Sequence, residues 1–416
     1  MKKSIFSMLT LYVALVMVFT LLVVAVHMIP HNVIAAQIEH SLPVFDSEGA
    51  YPWVTSVDGR ARLDNFTDCY MLNVAFCADN NHPVDAALRN YRYRGNADMI
   101  ACMHELVEGN LQDSLFEYGK YWHGYQVTLR PLLTVMDYAQ IRWLNGVLLA
   151  LLLAVVLALM WQRLPAGYAV CLMVSLALVH SFVLPWSLQY SNCYYVMLVS
   201  MIALLAWPSL SETRLKMAMS FFAVGAITVF FDFFTSPIIT LGVPLTVLLL
   251  WKREPVTWRT LAVPCVAWAA GFALLWASKW AVAYLLVGYN ALAEVTDSVE
   301  IHSVGTSTDT MAGMWLSMVK GWFYPSAGNV LKFAILGMLT LLAVWAGRGR
   351  QALRDNVWLL ALSGIVLAWM LATTHHCYTH VNISSRMYLV SWFATLCFYF
   401  KIIDFDKLKR YVRFRS

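Results

Sequence analysis

Two carboxylates, Asp64 and Asp68, follow the first long apolar run of the sequence and are spaced one helical turn apart. The apolar pattern over residues 67–75 predicts a helix that starts at Thr67 as N-cap. A carboxylate held at a rigid helix end can take a proton from a hydroxyl group, which makes each acid a candidate general base. The alternative is that both acids cap the helix and favour its dipole.

Two further charged residues fall within or at the ends of apolar runs. Asp232 and Lys279 would be unfavourable at membrane depth unless each is paired or faces a cavity, so both are functional candidates. We predict that Asp232 is a second acid of the site and that Lys279 holds a phosphate as a point charge. The alternatives are that Asp232 caps the next segment and that Lys279 snorkels to the lipid headgroups.

Aromatic and cationic residues occur in the segments between apolar runs. Residues 118–125 carry four aromatic rings and one imidazole, which favours either an interfacial belt or a sugar-binding platform formed by Trp122 and His123. Arg130 and Arg142 follow, and Arg142 is placed to face either headgroups or an anionic phosphate.

The last polar turn contains His376, His380 and Arg386. Its histidines have no adjacent carboxylate and no zinc spacing, so we predict no metal ligands, although the sequence leaves an assisting divalent cation open. Recognition of a hydroxyl or a phosphate is the favoured function of this turn.

The composition shows which elements must position these residues. Of 416 residues, 60% are hydrophobic and 13% are charged, whereas soluble proteins carry about 25% charged residues. This excludes a soluble enzyme, a disordered chain and a disulfide scaffold. Apolar runs predict an all-α polytopic membrane protein with about ten spans, at residues 5–29, 142–161, 166–185, 193–210, 216–235, 237–251, 261–286, 331–347, 357–374 and 388–403.

The distribution of charge predicts the orientation. If both termini are cytoplasmic, more than half of the 29 Lys and Arg residues fall on the cytoplasmic side of the membrane. Most of the 24 acids fall on the other side, so the polar chemistry is expected on the outer face. The net charge of +5 is a topology signal and gives no reason to expect nucleic acid.

The predicted organisation has six segments. In chain order they are a first transmembrane anchor (1–29), an α-rich outer loop with amphipathic helices (30–141), a bundle of spans two to seven (142–286), a second outer loop (287–330), spans eight to ten (331–403) and a basic cytoplasmic tail (404–416). Cysteines of the first loop permit one disulfide of undetermined pairing, and they are Cys69, Cys77 and Cys102.

The arrangement resembles the GT-C superfamily of membrane glycosyltransferases. The resemblance rests on the cytoplasmic N-terminus, the long acidic loop after the first span, the acids Asp64 and Asp68, and the polar residues on later outer turns. It covers the whole chain at the level of topology, but the segments 64–68 and 121–125 match no signature of one subfamily. The pair of adjacent acids that several members carry after the first span is absent here.

This resemblance implies transfer of a sugar from a polyprenyl-phosphate-linked donor to a glycan or envelope-polymer acceptor on the outer face. We expect a bacterial cytoplasmic membrane. The implied roles are base for Asp68 or Asp64 and second acid for Asp232, with phosphate contacts from Lys279, Arg142, His380 and Arg386, and sugar contacts from Trp122 and His123. Two alternatives are a polysaccharide polymerase or ligase, and a transporter or flippase for a lipid-linked sugar. The sequence shows no internal repeat, and its polar residues cluster at the outer ends, which favours catalysis over transport.

Overall fold

The computed structural model describes residues 2–55, 61–109, 115–232, 234–252, 255–291, 310–323 and 326–413. Regular structure in these residues is almost entirely helical, which confirms the all-α prediction. Two short strands, β1 (Arg92–Tyr93) and β2 (Leu115–Phe116), pair antiparallel in the first loop. Residues 292–309 and 324–325 of the predicted second loop lie outside the described residues.

Seven of the described helices are long and apolar enough to cross a membrane, as expected from runs of about 20 apolar residues. They are α1 (Lys2–His27), α7 (Tyr138–Arg163), α9 (Leu188–Ala206), α10 (Arg214–Phe231), α12 (Trp258–Val287), α14 (Ala327–Ala346) and α15 (Arg350–Ala372). The chain is therefore a multi-pass membrane protein by the length and composition of its helices.

Three shorter apolar helices occupy the remaining predicted spans. They are α8 (Gly167–Leu178), α11 (Ile239–Lys252) and α18 (Tyr388–Ile402), with 12, 14 and 15 residues. At a rise of 1.5 Å per residue each is about 18–23 Å long, shorter than a hydrocarbon core of about 30 Å. Every residue of α11 from Ile239 to Leu250 is buried. Ten crossings thus remain a prediction.

Nine further helices and three 3₁₀ turns also lie in the described residues. Helices of the first loop are α2 (His31–Glu48), α3 (Asn65–Phe76), α4 (Pro83–Arg89), α5 (Met99–Val107) and α6 (Gln126–Leu132), and the later ones are α13 (Met311–Phe323), α16 (Thr374–Thr379), α17 (Val381–Ser384) and α19 (Phe405–Arg413). The 3₁₀ turns cover Ser181–Trp186, Pro208–Ser211 and Ser385–Met387. We call the bundle end joined to α2–α6 the loop side and the opposite end the tail side.

The first loop has a hydrophobic core of its own. Residues of α2, α3 and α5 pack together and extend to the start of α7, where Phe45 stacks on Tyr138 with ring centres 4.4 Å apart. All eight cysteines lie in the described residues and are free thiols, so the permitted disulfide is not formed. Cys77 and Cys102 instead contact the side chain of Asn73. The loop is therefore held by packing onto the bundle rather than by a covalent link.

Candidate functional site

Asp64 is the N-cap of α3, the position that the sequence assigned to Thr67. Its carboxylate accepts from the Thr67 backbone N–H at 3.0 Å and from the Thr67 hydroxyl at 2.8 Å. The side-chain amide of Gln189, at the start of α9, donates to Asp64 Oδ2 at 2.5 Å. Burial raises the pKa of Asp64, and the donors of Thr67 and the charge of Arg386 oppose that rise. The N-cap prediction for Thr67 was wrong because Thr67 is the donor in this cap.

Asp68 lies one turn further along α3 and has a different set of partners. Its carboxylate accepts from the Tyr138 hydroxyl at 2.6 Å and from the backbone N–H groups of Leu188 and Gln189 at 2.8 and 3.0 Å. These N–H groups begin α9, so the acid occupies the positive end of that helix dipole. Burial raises the pKa of Asp68 to about 7 against the effect of the three donors. Asp68 therefore ties α3 to α7 and α9.

Arg386 brings the turn before α18 to the same place. Its guanidinium carbon lies 3.6 Å from the centre of the Tyr190 ring, and it donates to the carbonyl oxygens of Asn382 and, at 3.5 Å, Arg62. The side chain is only 1% exposed. Within the described residues its Nε has no hydrogen-bond partner.

Five residues from distant parts of the sequence thus meet at the loop side. We call this set the polar junction: Arg62, Asp64, Gln189, Tyr190 and Arg386. It combines a buried carboxylate, an orienting amide and a guanidinium stacked on an aromatic ring. Two of its members, Gln189 and Tyr190, were assigned to a turn from the sequence and were not predicted as site residues.

A partly buried ion pair lies beside the junction. Arg142 Nη1 contacts Glu48 Oε1 and Oε2 at 3.0 and 2.9 Å, and the Asn65 amide donates to the same carboxylate at 3.0 Å. Arg142 is 5% exposed, whereas the Glu48 side chain is 31% exposed. Sequence reasoning missed Glu48, because an acid at the end of an amphipathic helix carries no local signal.

An apolar cleft of about 380 Å³ lies between α8, α14, α15 and α18. Its wall includes Ser385, the neighbour of Arg386, together with His180, Lys332 and Tyr388 at the loop side. From Tyr388 the wall follows α18 as far as Thr395, a distance of about 10 Å at the helical rise. The cleft therefore has an apolar interior and a polar end at Ser385, the residue before Arg386 in the chain.

Several predicted site residues bind main-chain groups instead. Lys279 Nζ donates to the carbonyl oxygens of Ala87 and Leu88, at 3.2 and 2.7 Å, at the end of α4. The Trp122 indole donates to the carbonyl oxygen of Leu275 at 2.7 Å. These contacts hold the first loop against α12, and the predicted phosphate and sugar contacts of these two residues remain predictions.

Arg130 and His123 are also buried among main-chain partners. Arg130 donates to the carbonyl oxygens of Val26, Ala75 and Ile29, and burial lowers its pKa to about 10. His123 lies within hydrogen-bond distance of the Tyr118 carbonyl oxygen and the Tyr125 hydroxyl, at 2.9 and 3.1 Å. Burial lowers the pKa of His123 to about 3, so its ring is neutral at physiological pH.

The remaining predicted residues lie at the turn between α10 and α11 and in the last polar turn. The Asp232 carboxylate accepts from the backbone N–H and the hydroxyl of Thr235. His376 Nε2 lies 2.8 Å from the carbonyl oxygen of Phe234, which links the two turns. The ring of His380 lies 4.9 Å from that of His376. No cluster of three metal-ligating side chains occurs in the described part of the chain.

Comparisons with protein-family models, with curated proteins and with solved structures find no match to this chain.

Proposed function

We propose that the protein is a membrane glycosyltransferase, which moves a sugar from a polyprenyl-phosphate-linked donor to an envelope acceptor on the outer face of a bacterial cytoplasmic membrane. The observation that carries the proposal is that Ser385, at the polar end of the apolar cleft, directly precedes Arg386 of the polar junction in the chain. A lipid-linked donor keeps its chain in the bilayer, so its reactive carbon needs a polar site at the end of an apolar cleft. The residues at Ser385 and Arg386 supply that transition.

Asp64 is the base in this proposal. It takes the proton of the acceptor hydroxyl as that oxygen attacks the anomeric carbon, and the bond from this carbon to the phosphate oxygen breaks with its electron pair going to the phosphate. The raised pKa of Asp64 makes its carboxylate a stronger base than an exposed one. Direct displacement inverts the anomeric configuration.

Arg386 and Lys332 stabilise the departing phosphate. Arg386 is buried against Tyr190, where a fixed guanidinium interacts with developing charge more strongly than in water. Lys332 lines the apolar cleft from α14. Gln189 orients the Asp64 carboxylate through its 2.5 Å hydrogen bond, whereas Asp68 positions α9 and does not touch the substrate.

The proposed activity is tested by mass spectrometry of envelope polysaccharides and polyprenyl-linked sugars from cells with and without the gene. We expect the deletion strain to lack one sugar decoration and to accumulate its lipid-linked donor on the outer leaflet. Accumulation on the cytoplasmic leaflet alone, shown by inaccessibility to an external enzyme, would instead identify a lipid transporter.

Complementation with Asp64→Asn tests the base. An asparagine keeps the N-cap of α3 but cannot take a proton, so we expect transfer to fall by about 10²–10⁴-fold. The matched control is Asp98→Asn, because Asp98 is the N-cap of α5 in the same loop and lies outside the junction. Full transfer by Asp64→Asn at wild-type protein levels would remove Asp64 from the mechanism.

A further inference from the structure

A second apolar chamber lies on the other side of the start of α9. Its volume is about 590 Å³, and it is enclosed by α6, α7, α9 and α10 together with Met71 of α3. Representative wall residues are Thr128, Leu148, Tyr195, Val196 and Phe231. The chamber lies among the membrane-spanning helices and shares no lining residue with the cleft between α8, α14, α15 and α18.

The loop-side end of this chamber is polar. Asn145 donates to the carbonyl oxygens of Leu184 and Pro185 and to Ser191, and it accepts from the Tyr195 hydroxyl at 2.8 Å. Asn192 also lines the chamber, and its amide nitrogen is buried with no hydrogen-bond partner in the described residues. A buried unpaired donor is unfavourable, so the amide is suited to a ligand oxygen.

The first turn of α9 separates this chamber from the polar junction. Leu188 lines the chamber, and its backbone N–H binds Asp68. The next two residues, Gln189 and Tyr190, contact Asp64 and Arg386. The chamber and the cleft are thus each lined by a residue that directly precedes a residue of the polar junction, Leu188 before Gln189 and Ser385 before Arg386.

We propose that the chamber binds the hydrocarbon chain of a lipid-anchored acceptor, with the Asn192 amide donating to an oxygen of its headgroup. This inference rests on the proposed glycosyl transfer and names its acceptor class. An acceptor delivered from water needs no chamber among spanning helices, whereas a lipid acceptor must place its chain there to bring its hydroxyl to Asp64. The reaction then joins two lipid-borne substrates at one carboxylate.

Photolabelling of the purified full-length protein in lipid nanodiscs tests the chamber without requiring activity. The probe is a phosphatidylglycerol with a diazirine at the end of one acyl chain. Leu148→Trp fills the chamber, and Val147→Trp is the matched control because Val147 is also lipid-exposed, at 53%, but does not line it. Because the indole takes up space that the acyl chain would fill, we expect labelling of residues 191–200 to fall about tenfold in Leu148→Trp only.

Competition identifies which lipid the chamber prefers. Excess long-chain polyprenyl phosphate should displace a photoreactive polyprenyl phosphate from residues 385–395 and leave the chamber label unchanged. Equal labelling in Leu148→Trp and Val147→Trp would show that the probe contacts these residues only as bulk lipid. Displacement of the chamber label by polyprenyl phosphate would show that the chamber is a donor site. Either result overturns the inference. The labelling does not require turnover. A deletion strain with unchanged envelope glycans would therefore contradict the proposed glycosyl transfer without testing lipid binding in the chamber.

Discussion

Asp64 and Asp68 are both buried, yet their chemical environments differ. Asp64 binds the Thr67 backbone and side chain and the Gln189 amide, and it lies in the field of Arg386. Asp68 binds two backbone N–H groups that begin a helix. An acid whose two oxygens cap a spanning helix is suited to fixing that helix. Asp64, beside a guanidinium, is the better candidate base.

The titration of Asp68 gives a stability prediction. Its pKa is raised from 3.8 to about 7 in the folded chain, so between these values the folded state binds more protons than the unfolded state. The contribution of Asp68 to stability is therefore present at low pH and is lost as the pH rises through about 7. We expect Asp68→Asn to flatten this part of the profile of melting temperature against pH in detergent.

The titration of His123 changes stability with pH in the opposite direction, so its effect must be separated from that of Asp68. Its pKa is lowered from 6.5 to about 3, so its contribution is lost as the pH falls below 6.5. The difference between the profiles of the wild type and Asp68→Asn isolates the acid. Parallel profiles from pH 4 to pH 7 would show that Asp68 does not titrate in this range.

Lys279 gives a second prediction at this scale. Lys279→Met should lower stability by about 1–3 kcal/mol, because the carbonyl oxygens of Ala87 and Leu88 lose a buried donor. The checks are the melting temperature and the donor affinity of the same purified variant. An unchanged melting temperature with weakened donor binding would assign Lys279 to the phosphate rather than to α4.

The start of α9 is the element that assembles the candidate site. The sequence placed this span at 193–210, whereas the helix begins at Leu188. Polar residues 189–192 interrupt the hydropathy pattern, but the helix continues through them because Asp68 satisfies two of its first N–H groups. A cap supplied from over a hundred residues away is invisible in local sequence.

The crossing of α10 and α12 gives a prediction at the scale of helices. Gly225 and Gly271 lie where the helices approach closely, and a Cβ at Gly225 would meet the carbonyl oxygen of Trp268. We expect Gly225→Ala to lower stability by about 1–3 kcal/mol through overpacking. The matched control is Gly337→Ala on α14, where a Cβ has no neighbour within 4 Å. Equal melting temperatures for the two variants would contradict this close packing.

The whole molecule has a helical first loop seated on a membrane bundle. Arg130 connects the two parts by donating to carbonyl oxygens in the last turn of α3 and near the end of α1. Lys279 and Trp122 connect the loop to α12. Charged and polar side chains that seemed suited to substrate contacts therefore support the interface between loop and bundle.

The number of crossings decides where the chain ends lie. Ten crossings place both ends on one face of the membrane, whereas crossings by the seven long helices alone place them on opposite faces. We expect epitope tags at both ends to be inaccessible from outside, because cations concentrate near the tail side. A cysteine at Asn96→Cys, on an exposed part of the first loop, should react with an impermeant maleimide. Ends on opposite faces would reject the ten-span topology.

The sequence by itself determined the membrane class, the helical fold and the position of the first loop, because long apolar runs in a chain with 13% charged residues have no other stable environment. It also identified Asp64 and Arg386 as candidates from residue type. Only the tertiary structure decided that these two meet at Gln189 and Tyr190, since partners more than a hundred residues apart leave no local pattern. The same holds for Lys279, whose buried ammonium has carbonyl partners on α4 that sequence spacing does not show.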